Sequence, residues 1–206
     1  VGVIAALAYA LAAKLGLPPT VTAALAIAVS MFVTGCLHED GLSDTADGFG
    51  GGKTRETKLS IMRDSRIGAY GACAIALSIL LRWSALAAIA GTGYAAVALI
   101  AAHTASRALI PAFMQLTPAA RSDGLSASAG SVTSEAVFAA GAIGLVALLL
   151  FGPLGAIVAA FWLVVAFLAL RQLSMSQIGG QTGDTIGAMQ QVGEITVLLV
   201  AAALLS

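Results

Sequence analysis

The chain has 206 residues, of which 59% are hydrophobic and only 10% are charged, and its mean hydropathy is +0.98. Soluble domains carry about 25% charged residues, so this composition excludes an ordinary soluble protein and predicts a surface that faces a lipid bilayer. The formal net charge is zero and no basic tract occurs, which argues against nucleic acid as a partner.

Charge-free runs predict the membrane segments in chain order. The run at residues 136–170 must fold as a hairpin of two helices, because it is too long for one span. Turns rich in Pro and Gly separate several runs, as at Gly152-Pro153. The predicted segments are 1–13, 19–37, 70–91, 93–115, 135–151, 153–173 and 191–206.

These runs predict an all-α fold, a polytopic integral membrane bundle of about seven transmembrane helices that forms one domain over residues 1–206. The first run is too short to cross a bilayer of about 30 Å. We therefore expect the native N-terminal part to be missing from this sequence.

The same spans place three polar segments, 38–69, 116–134 and 174–190, on one side of the membrane. The opposite side would carry only Lys14 and Arg82. Because cytoplasmic loops are enriched in Lys and Arg, this distribution predicts an active site that faces the cytoplasm. The basic residues on the predicted cytoplasmic side are Lys53, Arg55, Lys58, Arg63, Arg66, Arg121 and Arg171.

The first polar segment places Asp40, Asp44 and Asp47 at i, i+4 and i+7. On a helix these positions fall within about 40° of one another, and such like charges destabilise an isolated helix. A hard divalent cation, Mg²⁺ above all, would favour this arrangement of oxygen ligands. The alternative is a solvated helix end whose charges pair with nearby basic residues. Glu39 would point about 100° away, and its role stays open.

Residues 55–67 predict a short amphipathic helix at the membrane interface. Asp64 lies there between Arg63 and Arg66. Asp64 could act as a further metal ligand or a base, and the two arginines could bind phosphate. The alternative is a simple surface cluster of ion pairs.

The last polar segment contains a glycine-rich stretch from Gly179 to Gly187, in which Asp184 is the only charged residue. Its four glycines would let the backbone approach a ligand closely, unless the stretch is an ordinary connector.

Arg107 lies inside a predicted span, where an ionisable group usually indicates a functional site. Arg107 could bind phosphate, or it could form a structural ion pair with Glu194.

Three motifs together resemble the cobalamin synthase family of adenosylcobinamide-GDP ribazoletransferases, from about residue 20 to the end. The resemblance implies an integral, Mg²⁺-dependent enzyme of the bacterial inner membrane. It implies the joining of adenosylcobinamide-GDP to α-ribazole or its 5′-phosphate with release of GMP, so the expected partners are a corrinoid nucleotide and a ribazole. The motifs are His38-x-Asp40-Gly41-Leu42-x-Asp44-x-x-Asp47-Gly48, Ile61-Met62-Arg63-Asp64-Ser65-Arg66-Ile67-Gly68-x-Tyr70-Gly71 and Gly179-Gly180-Gln181-Thr182-Gly183-Asp184-x-x-Gly187-Ala188.

Applied to this chain, the resemblance makes the three motif aspartates metal ligands and leaves open which other aspartate is the base. A homo-oligomer is compatible with the sequence. The expected Mg²⁺ ligands are Asp40, Asp44 and Asp47, the catalytic candidates are Asp64 and Asp184, and the substrate-binding candidates are Arg63, Arg66, Arg107 and Gln181.

Two other functions compete with this one. A CDP-alcohol-type membrane phosphotransferase shares the D-x-x-D-G pattern of Asp44 to Gly48, but the residues that follow differ from that family. A cation transporter would need acidic residues at the middle of the membrane on several helices. Here the acidic residues cluster at one face.

Overall fold

The computed structural model describes residues 1–122 and 130–206, which are helical apart from short connections, as predicted. The centre of the predicted polar segment 116–134 lies outside the described residues. Two 3₁₀ turns, Ala90–Thr92 and Leu149–Phe151, occur between helices. The described helices are α1 (Gly2–Lys14), α2 (Pro19–Thr34), α3 (Leu37–Gly51), α4 (Arg55–Ile61), α5 (Ala69–Ala88), α6 (Ala95–Leu116), α7 (Ser134–Leu148), α8 (Gly152–Ile178) and α9 (Gly183–Leu205).

Four continuous helical stretches of the described chain are long and apolar enough to cross a membrane: Ala69–Thr92, Ala95–Leu116, Ser134–Ile178 and Gly183–Leu205. A fifth results if α2 and α3 count together as one broken span. The chain therefore has the helices of a membrane protein. The count of about seven spans stays a prediction.

The longest stretch is folded back on itself. Residues 141–148 of α7 and 160–164 of α8 line one cavity together with α6, although a straight helix would separate Gly141 from Val164 by about 35 Å. The reversal occurs at Gly152, whose φ of 77° favours glycine. The predicted hairpin is confirmed.

A sharp bend between α2 and α3 creates the polar part of the molecule. The two helices meet at 88°, and the connecting residues Gly35 and Cys36 both have positive φ, at 60° and 58°. α2 is apolar, whereas α3 carries the acidic motif. At 15 residues, α3 is too short to cross a bilayer alone. The bend thus turns the acidic helix away from the direction of α2.

Helix α9 lies at the centre of the bundle and packs against α3, α5, α6 and α8. The core between the helices is rich in alanine, since small side chains let membrane helices approach closely. Large hydrophobic side chains such as Phe32 and Phe138 are about 80% exposed. A bilayer is the solvent that suits such a surface.

The packing of α7 against α6 yields a testable prediction. A Cβ atom at Gly144 would lie 2.6 Å from the Cβ of Ala108, whereas nothing lies within 4 Å of the same position at Gly141, one turn earlier. We expect Gly144→Val to destabilise the protein by about 1 to 3 kcal/mol through overpacking. Gly141→Val is the matched control and should be near neutral. Thermal unfolding of the detergent-purified variants measures both, and equal melting temperatures would contradict this packing.

Candidate active site

Helices α3 and α9 touch backbone to backbone at Gly41 and Gly187. A Cβ atom at Gly41 would lie 2.8 Å from the carbonyl oxygen of Asp184, and one at Gly187 would lie 3.3 Å from the Cα of Gly41. A side chain at Gly41 could be accommodated only by moving backbone. This crossing brings the first acidic motif next to the start of α9.

Three carboxylates gather at the crossing, and we call Asp40, Asp44 and Asp184 the acidic cluster. Asp40 is exposed, and Asp44 and Asp184 are half-buried. Burial, together with the negative charges of Asp40, Asp184 and Asp47, raises the pKa of Asp44 to about 7. The site therefore holds more negative charge than its own surroundings neutralise.

Asp184 is held in place from two sides. Thr182 Oγ1 donates a hydrogen bond to its Oδ2 over 3.1 Å, and Arg121 Nη2 lies 3.4 Å from the same oxygen. Asp184 belongs to the first turn of α9, because Thr182 and Thr185 form a capping box that starts the helix at Gly183. The predicted loop 179–187 is therefore shorter than expected, because the helix already begins at Gly183. The backbone of Asp184 is helical.

Asp47 has a structural role that Asp40 and Asp44 do not share. It lies seven residues after Asp40, about 10 Å further along the helix. Its Oδ2 accepts a hydrogen bond from the backbone N–H of Gly68 over 2.7 Å, and its Oδ1 accepts one from Gly71 over 2.9 Å. Asp47 thereby satisfies free N–H groups at the start of α5 and anchors that helix to α3.

The polar segments are joined by backbone contacts. Gln181 accepts from the N–H of Ala120 and donates its own N–H to Pro118 O, both over 2.8 Å. Arg55 donates to the carbonyl oxygens of Ile178 and Ala120. The described parts of the three predicted segments therefore meet, as expected. The Gln181 side chain is buried, and its Oε1 has no hydrogen-bond partner among the described residues.

The predicted Asp64 site lies in an exposed turn after α4. Arg66 donates to Asp64 from its backbone N–H and its guanidinium, with Nη2 2.5 Å from Oδ2. This hydrogen bonding lowers the pKa of Asp64. The Arg66 side chain is 87% exposed, and Arg63 is also exposed. The pair matches the alternative of a local surface ion cluster.

A buried network of charges crosses the bundle beneath the acidic cluster. Arg82, which is 1% exposed, places Nη1 3.0 Å from Glu39 Oε1 and 3.1 Å from Glu194 Oε1. The other oxygen of Glu194 lies 3.1 Å from His103 Nδ1 and 2.6 Å from Gln190 Nε2. The network connects α3, α5, α6 and α9.

This network corrects two predictions. Arg82 does not lie at the opposite membrane face but inside the bundle, because two buried carboxylates require a cation. Glu194 therefore pairs with Arg82 and not with Arg107. The half-buried Arg107 instead bonds within α6, with Nη1 3.0 Å from His103 Nδ1 and 3.1 Å from His103 O.

A cavity of about 330 Å³ adjoins the acidic cluster. Asp40 and Asp184 line it together with His38, and apolar residues of α6 and α9, such as Ile110 and Ile186, line the rest. Carboxylates beside a partly apolar cavity form a site that can orient an organic substrate while acting on a polar group of it.

Comparisons with known proteins identify the family of the chain. The family model described as cobalamin-5-phosphate synthase matches residues 1–202. The chain belongs to that family. A protein of Mesorhizobium japonicum named adenosylcobinamide-GDP ribazoletransferase is 57% identical over all 206 residues of the chain, which cover 80% of that protein.

Other relatives carry the same name. One from Bradyrhizobium diazoefficiens is 58% identical over 98% of this chain and 78% of its own length. One from Azorhizobium caulinodans is 49% identical over 90% of the chain and 73% of its own length. No solved structure matches the chain.

Sequence reasoning placed Asp40, Asp44 and Asp184 in the region where the structure brings them together. It missed Arg121 beside Asp184 and the network of Arg82 and Glu39. Arg82 had a usable signal, since it stands inside an otherwise charge-free run and inside α5, where a charge needs a partner.

The anchoring role of Asp47 and the different role of Asp40 can be distinguished by measuring the free energy of unfolding. Asp47→Asn should lower the free energy of unfolding by about 1 to 3 kcal/mol, because an amide offers one acceptor oxygen to two N–H donors. Asp40→Asn, on the same helix but exposed, should leave stability unchanged. Thermal unfolding of the two purified variants compares them, and an Asp47→Asn protein as stable as the wild type would refute the helix-anchoring role.

Proposed function

We propose that this chain joins adenosylcobinamide-GDP to α-ribazole, or to α-ribazole 5′-phosphate, with release of GMP, at the acidic cluster. Membership in the cobalamin-5-phosphate synthase family and relatives named adenosylcobinamide-GDP ribazoletransferase support the reaction. The observation that carries the location is the contact of Gly41 with the Asp184 backbone, which sets Asp40 and Asp44 against Asp184.

The chemical step is a substitution at phosphorus. A ribose hydroxyl oxygen of the ribazole attacks the phosphorus that is bonded to the cobinamide side, and a new P–O bond forms. The P–O bond to the guanylate phosphate breaks, and GMP leaves with the electron pair. The hydroxyl proton must pass to a base, and a well-placed carboxylate accelerates such a transfer by roughly 10² to 10⁴.

Mg²⁺ fits the donor set of the site only in part. Among the described residues, no three Asp, Glu, His or Cys side chains form a ready-made metal cluster. Mg²⁺ commonly uses only one or two carboxylates plus substrate phosphates, and Asp40 and Asp44 can supply those. Held there, the ion would offset charge on the diphosphate as GMP departs. Both oxygens of Asp47 already accept backbone N–H groups, so we assign it to folding of the site.

We assign proton acceptance to Asp184 and not to Asp64. Asp184 faces the α3 carboxylates and is oriented by Thr182 and Arg121. Asp64 is bound to Arg66 in an exposed turn, and the lowered pKa makes it a weak base. Arg121 is positioned to bind substrate phosphate near Asp184, a role for which arginine geometry is well suited.

We further propose that this site faces the cytoplasm from the bacterial inner membrane. The sequence placed Lys14 and Arg82 on the side of the membrane opposite the site. Because Arg82 lies inside the bundle, only Lys14 of these two stays on that side. The site side keeps Arg55, Arg121 and Arg171 among others, so the asymmetry that marks cytoplasmic loops is larger than the sequence predicted. Glu39 and Glu194, the acidic residues of the buried network, both pair with Arg82, which disfavours the transporter alternative.

Substitution of the acidic cluster tests the location of the reaction. Asp40→Asn, Asp44→Asn and Asp184→Asn should each lower kcat by roughly 10²-fold or more, since each removes a negative charge that the step requires. The measurement is GMP release by purified, detergent-solubilised protein given adenosylcobinamide-GDP, α-ribazole and Mg²⁺. Chelation of divalent cations should stop GMP release, and added Mg²⁺ should restore it.

Glu56→Gln, an exposed acidic residue on α4, is the control and should retain wild-type turnover. Asp64→Asn decides between the two candidate bases. A loss for Asp64→Asn as large as that for Asp184→Asn would contradict the assignment, and GMP release without ribazole would contradict the transfer reaction itself.

The helix crossing can be tested with a single methyl group. Gly41→Ala should lower turnover by roughly tenfold or more while the protein still folds, because the added Cβ pushes α3 away from Asp184. Gly51→Ala on the same helix meets only Ile61 Cδ1, at an ordinary 3.5 Å, and should be active. Equal activity of the two variants would mean that the close approach at Gly41 has no part in the reaction.

A further inference from the structure

The 330 Å³ cavity beside the acidic cluster has two unlike sides. Asp40 and Asp184 form one side with His38, and Ile110, Met114 and Ile186 form the apolar side. We propose that this cavity is the acceptor subsite, in which the apolar side holds the aromatic base of the ribazole. The inference rests on the proposed function and adds where one of its two substrates binds.

Size excludes the larger substrate from the cavity. Pockets that enclose drug-sized ligands measure about 300 to 1,000 Å³, so 330 Å³ suits one nucleoside. A corrin macrocycle with its side chains is several times larger than a nucleoside. The corrinoid must therefore lie outside the cavity, with only its diphosphate reaching the acidic cluster.

Polarity distinguishes the two nucleosides that take part in the reaction. Guanine carries donors and acceptors along two edges, and burying them without partners is costly. The side chains of Ile110, Met114 and Ile186 offer guanine no hydrogen bond. The dimethylbenzimidazole base of ribazole is a flat, largely apolar ring system with a single unsubstituted ring nitrogen, which suits this lining.

His38 supplies a partner for that nitrogen. It lines the cavity on the same side as Asp40 and Asp184. An imidazole N–H can donate to the lone pair of the benzimidazole nitrogen. The benzimidazole nitrogen would then have a polar partner inside a cavity that is otherwise largely apolar on the α6 side.

The position of the cavity also suits the reaction. A benzimidazole ring held between α6 and α9 directs its attached ribose toward Asp40 and Asp184, which line the same cavity. The ribose hydroxyl would then lie beside the carboxylate that we assign as the base. Prepositioning of this kind is a large part of the rate gain in a two-substrate reaction.

The test fills the apolar side and measures each substrate separately. Ile110→Trp should raise KM for α-ribazole by roughly tenfold or more, a loss of about 1.4 kcal/mol, and should change KM for adenosylcobinamide-GDP less than twofold. Leu116→Trp is the matched control on α6, since that side chain is 53% exposed and does not line the cavity. It should change neither constant.

A second variant gives a readout that a merely structural effect would not move. Ile110→Ala enlarges the apolar side, so the enzyme should discriminate less between α-ribazole and an analogue that lacks the two methyl groups on the base. We expect the ratio of the two kcat/KM values to fall by roughly threefold or more. If Ile110→Trp does not fold, Met114→Trp fills the same space.

A rise in KM for the corrinoid nucleotide alone would overturn the inference, because the cavity would then bind that substrate. Unchanged constants in both filled variants would overturn it as well, and would indicate that lipid or nothing occupies the cavity. Wild-type protein that releases no GMP with both substrates present would instead refute the proposed function, and the inference with it.

Discussion

The buried pairing of Arg82 with Glu39 and Glu194 fixes the geometry on which the site depends. Consecutive residues on a helix point about 100° apart, so the inward direction of Glu39 sets the outward direction of its neighbour Asp40. Breaking a buried ion pair by removing one partner costs about 3 to 5 kcal/mol. Rotating α3 would break this one. The acidic motif is therefore held in its orientation from inside the bundle.

Close backbone contact provides the second constraint. Gly41 lets α3 approach α9, and Gly71 lets the start of α5 approach Asp47, whose Oδ2 would lie 2.3 Å from an added Cβ. These contacts leave no room for side chains, so the helices meet at fixed distances. Arg82 and Glu39 determine the rotation of α3, and the glycines determine its separation from its neighbours. Together they place carboxylates from different parts of the chain at one location.

Local sequence determined what could be predicted. Hydropathy predicted the apolar helices, and glycine and proline predicted the turns at 91–93 and 152. Both features depend only on residues close together in the chain. The acidic face of α3 followed from helix geometry. The partner of Arg82 and the role of Asp47 did not, since each depends on packing between distant helices: Gly68 lies 21 residues from Asp47, and Glu194 lies 112 residues from Arg82. The start of α9 was missed because a Thr-Thr capping box looks like a loop in sequence.

Five acidic residues on α3 and α9 thus fall into three groups that sequence alone does not separate. Glu39 and Glu194 are neutralised inside the bundle, and Asp47 is bound to backbone N–H groups. Asp40 and Asp44 form no salt bridge within the described part of the chain, and burial together with repulsion between the carboxylates raises the pKa of Asp44. A diphosphate substrate adds further negative charge at this point, which is why we propose that a cation such as Mg²⁺ binds here. Asp40 and Asp44, the α3 carboxylates outside these structural pairings, are the ones that we assign to the metal ion.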